Sequence, residues 1–303
     1  MTIQRADSRR AGGTTMKIAL LALLGLLWAV RIAAIKAVGL SGVPVHVVVS
    51  VAALGLAALF SVGAVVRSSW PPMDRELLIF YVLTGVLGFL APFALESAVA
   101  PHLTVFVFLV VIATMPIMTL VLSILTGGER FALRPILAVL LGFACAVAIL
   151  WDTTSATGDA TGSWWVAAAF GVPLLYALNT VFVARRFPAR AGAVQVAHAQ
   201  ALIVGTAALL GMLATGAAED LTLARLDPVA LGVIIAGEAL ALLAYLRITR
   251  DYGATWVSFA NYVSMIVGAV IGAWLFGDRI GVLTIVAALG IIGSVTLYQR
   301  RAR

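Results

Sequence analysis

Two ionisable side chains lie deep in apolar sequence. Arg31 falls in Leu26-Leu27-Trp28-Ala29-Val30-Arg31-Ile32-Ala33-Ala34-Ile35-Lys36, and Glu238 falls in Ile234-Ile235-Ala236-Gly237-Glu238-Ala239-Leu240. A guanidinium holds a carboxylate or phosphate through a bidentate fork. A carboxyl in such surroundings can exchange a proton, because burial penalises its charged form. Arg31 therefore reads either as a fixed cation for a substrate or as half of a structural ion pair. Glu238 is a candidate for substrate binding and for proton coupling. Glu96, between Pro92 and Pro101, is a second coupling candidate or an interfacial acid paired with Lys36 or Arg31. A pair between Arg31 and Glu238 that opens for substrate would satisfy both readings. Among neutral groups, Asn179, Asn261 and Tyr262 offer hydrogen bonds to a substrate or to neighbouring helices. Trp28 and Tyr176 offer an aromatic wall, or packing. His46, His102 and His198 lack metal-ligand spacing, so neither a metal nor a cofactor is expected.

The elements that carry these groups follow from composition. The chain has 303 residues, 63% hydrophobic and 11% charged, whereas soluble domains carry about 25% charged residues. So apolar a chain reads as an integral membrane protein. A net charge of +7 suggests nucleic acid in a soluble protein; here the bases lie between apolar segments, which is the pattern of membrane topology. Cys145, the single cysteine, excludes an intrachain disulfide.

Ten spans are expected: 16–40, 43–66, 77–99, 103–125, 131–151, 163–184, 193–216, 229–247, 254–276 and 281–298, broken at Gly, Pro and charge clusters. Residues 1–15 read as a disordered cytoplasmic arm, 16–151 as one five-helix unit and 163–298 as a second. Ser8-Arg9-Arg10 resembles a twin-arginine export signal, but Ala11-Gly12 replaces the apolar pair that should follow. The first segment is too long for a cleaved signal peptide and reads as a retained helix.

Alternate connections sort the bases. Arg5, Arg9, Arg10, Lys17, Arg67, Arg75, Arg130, Arg134, Arg185, Arg186, Arg190, Arg247, Arg250, Arg300, Arg301 and Arg303 fall on one side, Arg225 and Arg279 on the other. Both termini are thus expected in the cytoplasm, of a bacterial inner membrane. At 1.5 Å per residue Arg31 stands about 20 Å above the cytoplasmic start of its helix, and Glu238 about 14 Å into the eighth.

The two halves also resemble each other. Leu26 to Arg31 aligns with Leu174 to Asn179 at an offset of 148, placing Trp28 with Tyr176 and Arg31 with Asn179. Gly128-Glu129-Arg130-Phe131 aligns with Gly277-Asp278-Arg279-Ile280 at an offset of 149. Five spans per half is an odd number, so the second half must insert upside down. Inverted repeats of this kind are a recurrent transporter architecture.

The ten spans, the acid-Arg turns after the fourth and ninth spans, and Asp251-Tyr252-Gly253-Ala254 resemble the EamA-type branch of the drug/metabolite transporter superfamily. That resemblance implies a ten-helix basket with a central cavity, working by alternating access, commonly as an exporter of metabolites, amino acids or toxic compounds. The chain departs from the family's habit at Ser50, where a base is frequent, and at Met265, where proline is; Pro116 keeps the proline of the fourth span. The expected partners are a small-molecule substrate, the bilayer and protons as coupling ion, with no nucleic acid, in a monomer or homodimer. The alternative is a membrane-embedded lipid-modifying enzyme, against which stand the lack of a clustered His/Asp set and of a Ser/His/Asp constellation. A channel is a third option, disfavoured by the lack of a filter segment.

Overall fold

The computed structural model describes residues 15–31, 34, 44–99, 111–153, 163–215, 227–276 and 282–299, and within them all regular structure is helical. Residues 1–14, Lys36, His102, Arg225, the turn Gly277-Asp278-Arg279 and the side chain of Glu96 lie outside the described residues. The described helices group into ten rods. Helix α1 covers 15–31, α2 Val45–Arg67, and α3 Arg75–Gly85, continued by a π-helical stretch Val86–Leu90 and by Ala91–Val99. Then come α4 (Met115–Leu125), α5 (Leu133–Thr153), α6 (Ser163–Ala169 and Gly171–Arg186) and α7 (Ala193–Thr215). The last three are α8 (Pro228–Tyr252), α9 (Ala254–Ser258 and Ala260–Phe276) and α10 (Val282–Gln299). Among the described residues, five helices are long and apolar enough to cross a membrane: His46–Arg67, Ala167–Arg186, Ala193–Ala214, Pro228–Tyr252 and Ala254–Ile271.

Local chemistry sets the ends. Asp74 caps α3 by accepting from the Leu77 N–H at 3.0 Å, and Asp227 caps α8 through the Val229 N–H at 2.9 Å, with Pro228 at the first helical position. Helix α8 runs five residues beyond the expected end at Arg247. The polar turn Arg247 to Tyr252 stays helical with Arg247 Nε 3.8 Å from Asp251 one turn on, and it stops at Gly253, whose φ of +93° suits glycine.

Several rods break in mid-course. Pro92 has no N–H for the Gly88 carbonyl, and the chain widens into the π turn before it. Pro173 likewise has no N–H for the Ala169 carbonyl, but there the chain tightens instead, the Phe170 N–H donating to the Ala167 carbonyl at 3.3 Å. In α9 no proline intervenes: Ser258 Oγ donates to the Thr255 carbonyl at 2.8 Å and Asn261 Nδ2 to the Ser258 carbonyl at 3.1 Å, competing with the helix around Phe259.

Packing forms two main cores. One gathers Leu21, Leu24, Leu120, Val139, Phe259, Tyr262 and Ile291 from α1, α4, α5, α9 and α10; the other gathers Leu56, Phe60, Phe80, Tyr81, Val183 and Val196 from α2, α3, α6 and α7. Helix α8 serves both, giving Ala241, Ala244 and Ile248 to the first and Ala239 and Leu246 to the second. Close approach rests on small residues: a Cβ at Gly205 would lie 3.0 Å from Ala57, one at Gly25 2.6 Å from Val263, and one at Gly142 would overlap the Tyr262 ring.

One end of the bundle collects the basic connections. Lys17 lies 4.8 Å over the Tyr252 ring, Arg190 pairs with Asp74 at 3.5 Å, Arg250 lies 5.4 Å over Phe187, and Tyr298 donates to Glu129 at 3.1 Å. With Trp256 stacked on Tyr298 at 6.1 Å, these contacts join the start of α1 and the end of α10 to the α2–α3, α4–α5, α6–α7 and α8–α9 connections. Successive rods therefore run in alternate directions.

Gly142→Ala should lower stability by about 1–3 kcal/mol, since the Tyr262 ring it meets is locked in the core. Gly63→Ala, with no atom within 4 Å of the added carbon, should leave stability unchanged or raise it by up to about 1 kcal/mol. Unfolding midpoints of the purified variants check both.

Candidate functional site

The inward face of α8 holds two polar stations. At the first, Arg31 Nε of α1 stands 3.2 Å from Glu238 Oε2, with the side chains 30% and 21% exposed. The contacting nitrogen and oxygen are themselves shielded from solvent. Arg31 lies about 20 Å along α1 from Lys17, and Glu238 about 15 Å along α8 from Pro228, so the pair sits well inside both helices. An exposed ion pair contributes little, whereas removing one partner from a buried one costs several kcal/mol. With this burial the pair falls between those cases.

The second station lies two helical turns along. Tyr245 is seven residues from Glu238, which puts the two on nearly one face, within about 20° and about 10 Å apart along the axis. Asn179 Nδ2 donates to Tyr245 Oη at 3.0 Å, Tyr245 Oη donates to Thr180 Oγ1 at 3.1 Å, and Thr180 Oγ1 donates to the Tyr176 carbonyl at 2.7 Å. Each hydroxyl both accepts and donates, so the chain of bonds has one direction. Asn179 is only 5% exposed, and its Oδ1 has no hydrogen-bond partner among the described residues.

Why these groups meet is legible in the packing. Positions 238, 242, 245 and 249 form a stripe along α8 between the residues given to one core and those given to the other. Leu240, on the opposite face, is 56% exposed. Gly88, in the π turn of α3, makes room for the amide: a Cβ there would lie 2.6 Å from Asn179 Nδ2. Thr249 closes the stripe, fully buried.

The other expected site residues are placed differently. Trp28 packs against the first core, and Tyr176 is half-buried. Asn261 Nδ2 points to Met115 Sδ at 3.0 Å, and Tyr262, fully buried, donates to the Val139 carbonyl at 3.1 Å, tying α9 to α5. Both therefore act as links between helices in this structure. His198 is buried rather than peripheral, with Nε2 3.0 Å from Ser61 Oγ and the Trp70 ring tilted against it at 5.4 Å. Tyr245, Thr180, Thr249 and Gly88 were missed from sequence. The signal for Tyr245 and Thr249 was their spacing of seven and eleven from Glu238.

Neither a family model nor a curated protein matches this chain. A solved structure described as "Crystal structure of protein" is similar in fold, with a TM-score of 0.74 and 15% identity, covering 95% of this chain and 98% of that one. At that identity the likeness shows the fold alone.

Tyr245→Phe should cost about 1–2 kcal/mol by orphaning the Asn179 amide. In an Asn179→Ala background the same change should cost less, because the two share one bond. A double-mutant cycle on unfolding free energies reads the difference.

Proposed function

We propose that the chain is a secondary transporter of small metabolites, of the drug/metabolite type, working by alternating access between two inverted five-helix halves. The observation that carries this reading is the ion pair Arg31–Glu238 on the same inward stripe as the Asn179–Tyr245–Thr180 chain. Charged groups inside an apolar bundle mark a substrate or ion pathway by default.

The pairing of helices supports the inverted repeat. Exchanging α1 with α6, α2 with α7, and so on, maps the contacts α2–α7, α4–α9 and α5–α10 onto themselves. It maps α3–α7 onto α8–α2, and α4–α6 onto the Gly25–Val263 approach of α1 and α9. The repeat equivalents Arg31 and Asn179 obey the same exchange: Arg31 meets Glu238 on α8, and Asn179 meets Gly88 on α3. An offset of 149 carries Gly88 to Gly237, the neighbour of Glu238. The rods broken at Phe170, Phe259 and the π turn resemble the discontinuous helices that frame transporter sites.

In this scheme the basic end faces the cytoplasm and the remaining rods also cross the bilayer. A substrate carboxylate or phosphate takes the Arg31 fork and releases Glu238, which then accepts a proton or a cationic group of the substrate. The far part of the substrate hydrogen-bonds at the Asn179 station. Export of amino acids or related polar and amphipathic compounds fits this pairing of groups.

Arg31→Ala should abolish counterflow of an acidic or zwitterionic substrate in proteoliposomes while membrane insertion persists. Wild-type exchange of labelled substrate without chemical change supports a carrier, and a modified product supports the lipid-modifying enzyme instead. Undiminished counterflow by Arg31→Ala rejects the role of the guanidinium.

A further inference from the structure

A second cationic feature lies at the basic end, away from the α8 stripe. A cleft of about 450 Å³ opens where α2 ends, α7 begins and α8 ends, lined by Arg67, Ser69, Gly192, Val194, Arg247 and Arg250 among others. Three guanidiniums border it and one acid answers them. Arg247 Nε lies 3.8 Å from Asp251 and Arg250 Nε 2.8 Å, so both lean on the same carboxylate through Nε, while Arg67 makes no ion pair among the described residues. The cleft thus keeps an excess of two positive charges with terminal guanidinium nitrogens uncommitted to Asp251 by these contacts. Charge excess and fork geometry together match a phosphate group.

The surroundings indicate which phosphate. Val62, Val65 and Val66 on the last turns of α2 are 63%, 63% and 78% exposed, Val194 opens α7 at 43%, and Trp70 beside them is 55% exposed. Both α2 and α7 are of membrane-crossing length and apolarity. An apolar flank ending in an aromatic side chain and a ring of arginines has the order of a bilayer surface: acyl chains, interface, headgroup. We propose that this cleft seats the headgroup of an anionic phospholipid, its phosphate between Arg67 and the Arg247/Arg250 pair and its acyl chains running past Val194 and Val66 onto the apolar outer surface of the bundle. This rests on the chain spanning a bilayer, not on transport.

The test is native mass spectrometry of the purified full-length protein titrated with phosphatidylglycerol or with phosphatidylcholine of the same acyl chains. Wild type should retain phosphatidylglycerol preferentially. Arg67→Gln with Arg250→Gln should weaken its binding by about 25-fold, about fivefold per arginine. Arg190→Gln, at the same end but paired with Asp74 and Glu76 outside the cleft, should change nothing. Equal retention of the two lipids by wild type overturns the proposal without any variant. So does an equal loss in Arg190→Gln, which marks diffuse surface charge, or full displacement by millimolar inorganic phosphate, which marks a site for a free anion.

Discussion

An ionised guanidinium cannot be left facing hydrocarbon, and the arrangement around Arg31 follows from that. At the membrane depth that the proposed arrangement gives it, its cost is on the order of 3 kcal/mol by insertion scales and more by simulation. Snorkelling relieves a base only near a helix end. At about 20 Å along its helix Arg31 needs a partner, water or both. Here Glu238 supplies the partner at 3.2 Å, and the partial exposure of both side chains supplies access to water or a ligand. An ion pair in such a place stabilises less than apolar packing of the same volume would. Its use is therefore functional as readily as structural, and a pair that a charged ligand can open is also a binding site.

Helix α8 can carry that pair because it belongs to neither core alone. It lends Ala241, Ala244 and Ile248 to one side and Ala239 and Leu246 to the other, so the stripe between them lies along the seam where the two cores meet. The second station uses the same seam. Tyr245 projects from α8 toward α6, and the Asn179 amide fits only because α3 has a glycine where its helix is widened before Pro92. Breaks at Phe170, Phe259 and the π turn leave these rods with fewer regular backbone bonds at mid-course. Such rods bend at lower cost than continuous ones, as the proposed alternating-access cycle would require.

Much of this was legible in the chain. Composition and break residues give ten apolar segments, and the described residues form ten helical rods along them, with parts of the first and fourth segments outside the described residues. At α8 the helix runs past Arg247, because a polar turn capped by Gly253 stays helical while its hydropathy reads as loop. The interruptions at Phe170 and Phe259 were not anticipated, the second because it depends on Ser258 and Asn261 bonding back to backbone, a choice set by neighbours. The Arg31–Glu238 contact was posed as one possibility from charge alone. Tyr245 escaped notice because a tyrosine near a span end reads as an interfacial anchor; only the seven-residue spacing to Glu238 marks it. Asn261 and Tyr262 looked equally available, and their partners, Met115 Sδ and the Val139 carbonyl, lie far away in sequence.

The central claim is that Arg31 and Glu238 are tolerated in the bundle because each neutralises the other. A stability cycle in lipid over Arg31→Gln, Glu238→Gln and the double variant tests it most directly. Either single change should cost on the order of 2 kcal/mol, between the values for surface and buried pairs, and the double variant should lie closer to wild type than either. Costs that simply add would mean that the two charges are answered separately, and the account of the site would fail.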